Sequence, residues 1–230
     1  MIYLNLLITT FINYQINMDY YVKSELQNGI GTIEFYHPQS NSMPGVQLRN
    51  LAVEIEKLGN DDDVKVIVLK SAGEKTFCAG ASFDELISIK DCETGLEFFS
   101  GFAAVINAMR KAPKFVLARI QGKAVGGGVG IASAADYTFA TEFASVKLSE
   151  LAVGIGPFVV GPAVERKVGN SAFTQMAINA TEFQSAQWAK EKGLYAEVFA
   201  NAVEMDESIQ ILAEKLAKSS PDAMKNLKRV

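Results

Sequence analysis

The sequence predicts an α/β fold, and three observations carry that prediction. Residues 64–69 and 115–120 are nearly continuous apolar runs of strand length, the pattern of strands buried on both faces. Each run is followed by a stretch of small residues that opens a helix, one ending at Ala81 and the other at Gly127. Asn28-Gly29 sits between two runs of alternating polarity, residues 20–26 and 30–36, which is the strongest short-range signal of a β-hairpin.

Taken in order, the hairpin is followed by a loop over residues 37–45 that contains two prolines. Residues 46–58 favour helix by propensity, although Val46, Leu51, Val53, Ile55 and Leu58 follow helical spacing only loosely. Asp61, Asp62 and Asp63 end that pattern before the strand at 64–69. Ser82 and Glu85 have capping-box spacing, so a helix starts at Phe83. A longer helix covers 94–110, and Pro113 separates it from the strand at 115–120. Beyond Glu150, Gly154, Gly156, Pro157, Gly161 and Pro162 punctuate a loop and the start of a helix through Lys167. Helices follow over 171–180 and 185–192, then a short strand at 195–199 and an amphipathic helix at 204–218. Pro221 opens a last helix that stops at Val230.

The stretch from Gln121 to Glu150 organises the chain. Gly126, Gly127 and Gly128 are consecutive and precede a helix of small residues. Three glycines in a row cost backbone entropy, so something requires them. A helix N-terminus there presents free N–H groups and the positive end of the helix dipole, which suits a phosphate or an enolate oxygen. Tight packing alone is the plainer explanation, and the glycines do not decide between the two. A dinucleotide fingerprint lacks its third glycine here, and a Walker A loop lacks its Gly-Lys-Ser/Thr. With the small-residue bend at Ala79-Gly80-Ala81, two backbone N–H groups can point at one oxygen, as an oxyanion hole demands.

Composition narrows the field. The 230 residues are 49% apolar and 21% charged, an ordinary globular balance with enough chain for a sizeable core. A net charge of −4 with scattered Lys and Arg argues against nucleic acid as a partner; Lys225, Lys228 and Arg229 read as a solvated helix face. Cys78 and Cys92 form neither a disulfide framework nor a metal set, so no metal is expected, and the reading is a reduced, cytoplasmic compartment. His37, the only histidine, reads as an exposed loop residue beside Pro38. Any Ser–His catalytic unit would have to use it, and no nucleophile motif accompanies it. Residues 1–17 are apolar but carry no Lys or Arg and are interrupted by Asn5, Asn13 and Gln15, so they make a poor signal peptide and a poor membrane span. They read as an extension upstream of a start at Met18, with no membrane association.

Several segments, in order, resemble the crotonase superfamily, the enoyl-CoA hydratase/isomerase family. His37-Pro38-Gln39-Ser40-Asn41-Ser42-Met43 is similar to the family's Arg-Pro…Asn-Ala-Leu segment, and Phe77 to Ser82 to its Phe-x-Ala-Gly-Ala-Asp segment. Residues 122–132 look like its Gly-x-Ala-x-Gly-Gly-Gly helix start, with Asp136-Tyr-Thr-Phe-Ala and Leu148-Ser-Glu150 following at the expected distances. The resemblance covers about residue 19 to the end of the chain. It implies a spiral of ββα units over residues 18–200 and a helical C-terminal segment over 201–230, shorter than in most relatives. It also implies an acyl-CoA substrate, no cofactor beyond the coenzyme A of that substrate, and assembly as a homotrimer or dimer of trimers.

The resemblance assigns Ala81 and Gly127 as the two oxyanion-hole amides, and Ser42 and Ala79 to the coenzyme A side of the site. Phe158 replaces a small residue of many relatives and is expected at the acyl pocket with Phe83, Leu86 and Phe102. Hydratases of the family commonly use two glutamates. Glu150 matches one; Gly130 stands where the other belongs. The expected activity is an enoyl-CoA hydratase in which Glu150 is the acid–base group and a backbone N–H near Phe158 helps hold the water. The alternatives are a double-bond isomerase using the single glutamate and a non-catalytic acyl-CoA binder.

Overall fold

The computed structural model describes residues 20–229, so the expected extension over 1–17 and the start at Met18 lie outside the described residues. The hairpin forms as expected: β1 (Tyr21–Gln27) and β2 (Ile30–Tyr36) pair antiparallel across Asn28 and Gly29, both at positive φ. Two adjacent left-handed residues give the turn a twist that matches the strands, and Asn-Gly tolerates it best.

The main sheet has six strands in the order β1-β2-β3-β5-β7-β9, with β3 (Val66–Ser71), β5 (Val116–Ile120), β7 (Tyr137–Thr141) and β9 (Glu197–Phe199) all parallel to their neighbours. Val66, Ile67, Leu69, Val116, Leu117 and Ile120 are almost wholly buried, as the continuous apolar runs require. A second sheet of three short parallel strands was not legible in the sequence. It consists of β4 (Thr76–Cys78), β6 (Lys123–Val125) and β8 (Val146–Lys147), in that order. Strands of two or three residues carry too few side chains to show alternation. This corrects the expected order of elements: β6, not β5, leads directly into the glycine-rich helix, and β4, not β3, leads into the bend at Ala81.

Helices pack between and beside the sheets. α1 (Gly45–Asn60) lies against the long α3 (Cys92–Lys111), which begins with a capping box between Asp91 and Thr94. The short α2 (Phe83–Ser88) starts where Ser82 Oγ accepts the Glu85 N–H at 3.3 Å. α4 (Gly127–Ala134) is buried along its whole length, so only small and aliphatic residues fit there. The two helices expected around residue 170 form as expected and meet at a kink at Gly169, whose φ of 78° is not helical; together they make up α5 (Gly161–Ile178). α6 (Ala186–Glu191), α7 (Ala202–Ala217) and α8 (Pro221–Lys228) complete the chain, and α7 covers the outer face of the main sheet through Met205, Ile209 and Ala213. Among the described residues, no helix is long and apolar enough to cross a membrane.

One buried ion pair ties the last helix to the core. The Lys228 ammonium, with its side chain 5% exposed, donates to Asp136 Oδ2 at 2.7 Å and to the carbonyls of Met109 and Lys114 at 2.8 Å. Asp136 Oδ2 also accepts the Val116 N–H at 2.7 Å, which makes Asp136 structural, and Lys228 belongs to the interior rather than to the solvated helix face expected of it. Asp136→Ala removes the partner and leaves a buried cation, so urea denaturation should show a loss of about 3 kcal/mol in stability.

Candidate active site

Each strand of the small sheet ends at a residue of one cavity. β4 runs out into Ala79-Gly80-Ala81, β6 into Gly126-Gly127, and β8 into Ser149-Glu150. The Gly126 N–H donates to Lys147 O at 2.8 Å, which clamps the second exit to the third. A ligand pocket at the carboxyl ends of parallel strands is the expected place in an α/β fold. The cavity measures about 340 Å³ and is walled largely by apolar side chains of α2, α3 and the loop before α5, among them Leu86, Phe98, Phe102 and Val160.

The first exit is held by hydrogen bonds on one side only. The Met43 N–H donates to Gly80 O at 2.8 Å and the Ser82 N–H to Met43 O at 3.1 Å, a parallel bridge that leaves the Ala81 N–H facing away from Met43. The Met43 bond to Gly80 O fixes the peptide plane that carries the Ala81 N–H, and Ser42 Oγ donates to Ala81 O at 3.0 Å, fixing the next one. The loop that delivers Ser42 is fastened by the buried Asn41. Its Nδ2 donates to the carbonyls of Ala72 and Thr76 at 2.9 Å, and its Oδ1 accepts the His37 N–H. No protein acceptor takes the Ala81 N–H or the Gly127 N–H among the described residues. The first of these is a bend amide; the second belongs to the first residue of a helix, where a free donor and a positive dipole end coincide. The two are neighbours: a Cβ placed on Gly80 would lie 3.7 Å from the Gly127 nitrogen.

The glycines now have separate reasons. Gly126 adopts φ 51°, ψ −114°, a conformation a side chain strains, and its missing Cβ leaves room for Glu150 Oε1 at 3.2 Å. At Gly127 a Cβ would strike the Phe102 ring, and at Gly128 the Cys78 carbonyl. Of the alternatives left by the sequence, packing accounts for Gly127 and Gly128, and backbone conformation with the room left for Glu150 accounts for Gly126.

Glu150 begins a 3-10 turn, Glu150–Val153, and its carboxylate is mostly buried. Oε2 is shielded from solvent and has no hydrogen-bond partner. Desolvation pushes its pKa above the ordinary carboxylate value, and its own backbone N–H offsets this only in part. Of the described residues lining the cavity, Glu150 is the only one with an ionisable side chain. The position of the missing second glutamate is closed: a Cβ on Gly130 would meet Val160 at 2.6 Å and Ile106 at 3.2 Å.

The remaining sequence-predicted residues divide cleanly. Ser42, Ala79, Ala81, Gly127, Glu150, Phe83, Leu86 and Phe102 all line the cavity. Phe158 does not: its side chain is 85% exposed and lies against Gly156, while its neighbours Pro157 and Val159 form the wall. The Phe158 N–H is engaged with Gly156 O at 2.8 Å, so of the backbone N–H groups near Phe158 this one is not free to hold a water. His37 is half-buried, 5.5 Å from the Tyr20 ring, rather than exposed, and stands outside the cavity lining. Glu85 accepts the Gly45 N–H at 2.8 Å and so supports the start of α1. Ser149, Phe98 and Phe99 line the cavity without having been singled out. The adjacency of Ser149 to Glu150 was the available signal.

Two unspent amides beside a buried carboxylate, set in a two-sheet α/β core, define a protein of the crotonase class. The chain belongs to the enoyl-CoA hydratase/isomerase family, whose model matches residues 25–230. It is 30% identical over 210 residues to the mitochondrial enoyl-CoA hydratase of Pongo abelii, covering 89% of this chain and 70% of that one. It is equally 30% identical over 191 residues to the peroxisomal Delta(3,5)-Delta(2,4)-dienoyl-CoA isomerase of Arabidopsis thaliana, covering 76% and 67%. Among solved structures it is similar to an enoyl-CoA hydratase from Shewanella pealeana, with a TM-score of 0.85 at 25% identity over 96% of this chain and 82% of that one.

Two predictions test the site without a substrate. The cost of burying charged Glu150 is absent where the carboxyl is protonated both folded and unfolded. It grows as pH rises from the ordinary carboxylate value through the raised folded one. Glu150→Gln should therefore be more resistant to urea than the wild type at pH 7 and indistinguishable from it near pH 4. Gly130→Glu should not create a second acid: overpacking against Val160 and Ile106 should cost about 1–3 kcal/mol or more in the same assay.

Proposed function

We propose that this protein is an enoyl-CoA hydratase that adds water across the 2,3 double bond of an acyl-CoA thioester. The observation that carries the reading is the buried, unpartnered carboxylate oxygen of Glu150 in the same apolar cavity as the free N–H groups of Ala81 and Gly127. The thioester carbonyl oxygen sits between the two amides. Water attacks C3 while Glu150 takes its proton, and the π electrons move through C2 onto that oxygen as an enolate. The two N–H groups stabilise the developing charge, more strongly in a dry apolar site than in water. The enolate then collapses and Glu150 returns the proton to C2. A raised pKa suits a group that must be base and then acid near neutral pH. Ser42 and Ala79 flank the thioester toward coenzyme A, and the phenylalanines of α3 take the acyl chain. Hydratase names among the relatives support the choice of water addition.

A second reading has its own observation. Because Glu150 is the only ionisable residue among the described residues of the cavity lining, it could instead carry a proton between C4 and C2 and shift the double bond. The isomerase among the relatives keeps that reading open. The family resemblance supports a homotrimer or dimer of trimers as the working assembly, which sedimentation would read.

Incubation with crotonyl-CoA and 3-hexenoyl-CoA separates the readings. Loss of the conjugated enoyl absorbance from the first is expected; its appearance from the second means isomerisation, and binding without turnover of either means a non-catalytic binder. Glu150→Gln should lower turnover by about 10²-fold or more with folding intact. Unchanged turnover would remove Glu150 from the mechanism.

A further inference from the structure

We propose that the Ser149 hydroxyl positions the water that adds to C3, a role that rests on the hydratase reading above. Three polar side chains line the cavity: Ser42, Ser149 and Glu150. Ser42 is committed to the Ala81 carbonyl. Ser149 immediately precedes the 3-10 turn but its side chain does not cap it, and no protein group among the described residues takes up the hydroxyl. Its oxygen and Glu150 Oε1 both lie within 3.6 Å of one point, the place a Cβ on Gly126 would occupy. The backbone of Ser149, at φ −91° and ψ 1°, is in the sparsely populated bridge region that active-site residues often adopt. The bond from the Gly126 N–H to Lys147 O holds this corner against the start of α4.

A water needs at least two polar partners to be held in one orientation. Two other candidate partners are taken. Gly130 faces Val160, and the Phe158 N–H is bonded to Gly156 O. Ser149 beside Glu150 supplies the pair. The water donates one hydrogen to the Glu150 carboxylate and the other to Ser149 Oγ, which leaves a lone pair for C3. As the C–O bond forms, the hydrogen on the Glu150 side moves to the carboxylate. The hydrogen on Ser149 stays with the new hydroxyl. The C2=C3 electron pair passes to the enolate, and the proton held by Glu150 returns to C2. Ser149 gains and loses no proton, so it is a positioning residue.

The test compares two reactions of the full chain. Hydration of crotonyl-CoA needs the water, the amides and Glu150. Exchange of the C2 hydrogens of butyryl-CoA in deuterium oxide needs only the amides and Glu150. For Ser149→Ala, loss of one oriented hydrogen bond should lower kcat for hydration by about tenfold or more. KM and C2 exchange should stay within about twofold of wild type. Ser149→Cys, near in size but a weak acceptor, should show the same split, and Ser149→Thr should recover hydration. Equal loss of hydration and exchange would mean that Ser149 only shapes the corner, and unimpaired hydration would mean that it holds no water; either result overturns the proposal. Failure of the hydratase reading is seen separately, in the wild type, as C2 exchange without hydration.

Discussion

The site depends on one constraint: three parallel strands, together only eight residues long, must end side by side. β4, β6 and β8 carry Ala81, Gly127 and Glu150 at their carboxyl ends, and their pairing sets the spacing of the three. None of the three groups belongs to a flexible arm. Two are backbone amides and the third is a carboxylate one turn from its strand, so little reorganisation would be needed in the reaction proposed above. So small a sheet is stable only because the larger structure encloses it. Phe77, Cys78, Ala124 and Val146 are fully buried in the same core cluster as α1, α3 and α4.

The apolar wall and the buried carboxylate work against each other in stability and together in chemistry. Burying Glu150 without a partner for Oε2 costs folding free energy, and nothing in the cavity lining offers a cation to offset it. The same dry surroundings make the carboxylate a better proton acceptor and strengthen the two amide donors. A destabilised group held in place by well-packed surroundings is common at sites that do chemistry. The contrast with Asp136 is instructive: it accepts a backbone N–H and an ammonium, so its charge is satisfied and its role is structural.

The crowding around α4 leaves no room for a second carboxylate there. Cys78, Phe102, Ile106 and Val160 close on its glycines from different sides. A side chain at Gly130 would have to displace Val160, which is itself part of the cavity wall. Glycine at position 130 and the aliphatic side chains packed over it are thus one structural unit.

Much of this was determined by the sequence alone. The Asn28-Gly29 hairpin, the buried strands, the Ser82 cap and the long helix through Met109 are local, because turn geometry, hydrophobic period and capping chemistry are properties of neighbouring residues. The class of site was legible too, since two glycine- and alanine-rich bends and Leu148-Ser149-Glu150 occur in a specific order. Tertiary structure alone decided what depends on distant partners. It decided that β4, β6 and β8 form a sheet, that Gly130 is sealed by Val160, and that the Phe158 ring turns outward while its N–H is spent on Gly156. It also decided that Lys228 is buried on Asp136 and that the Ser149 hydroxyl stays free beside Glu150. The small sheet, the sealing of Gly130 and the burial of Lys228 turn on atoms brought together from far along the chain, and the fates of Phe158 and Ser149 on which neighbours the fold leaves to them; no local pattern of residues encodes either.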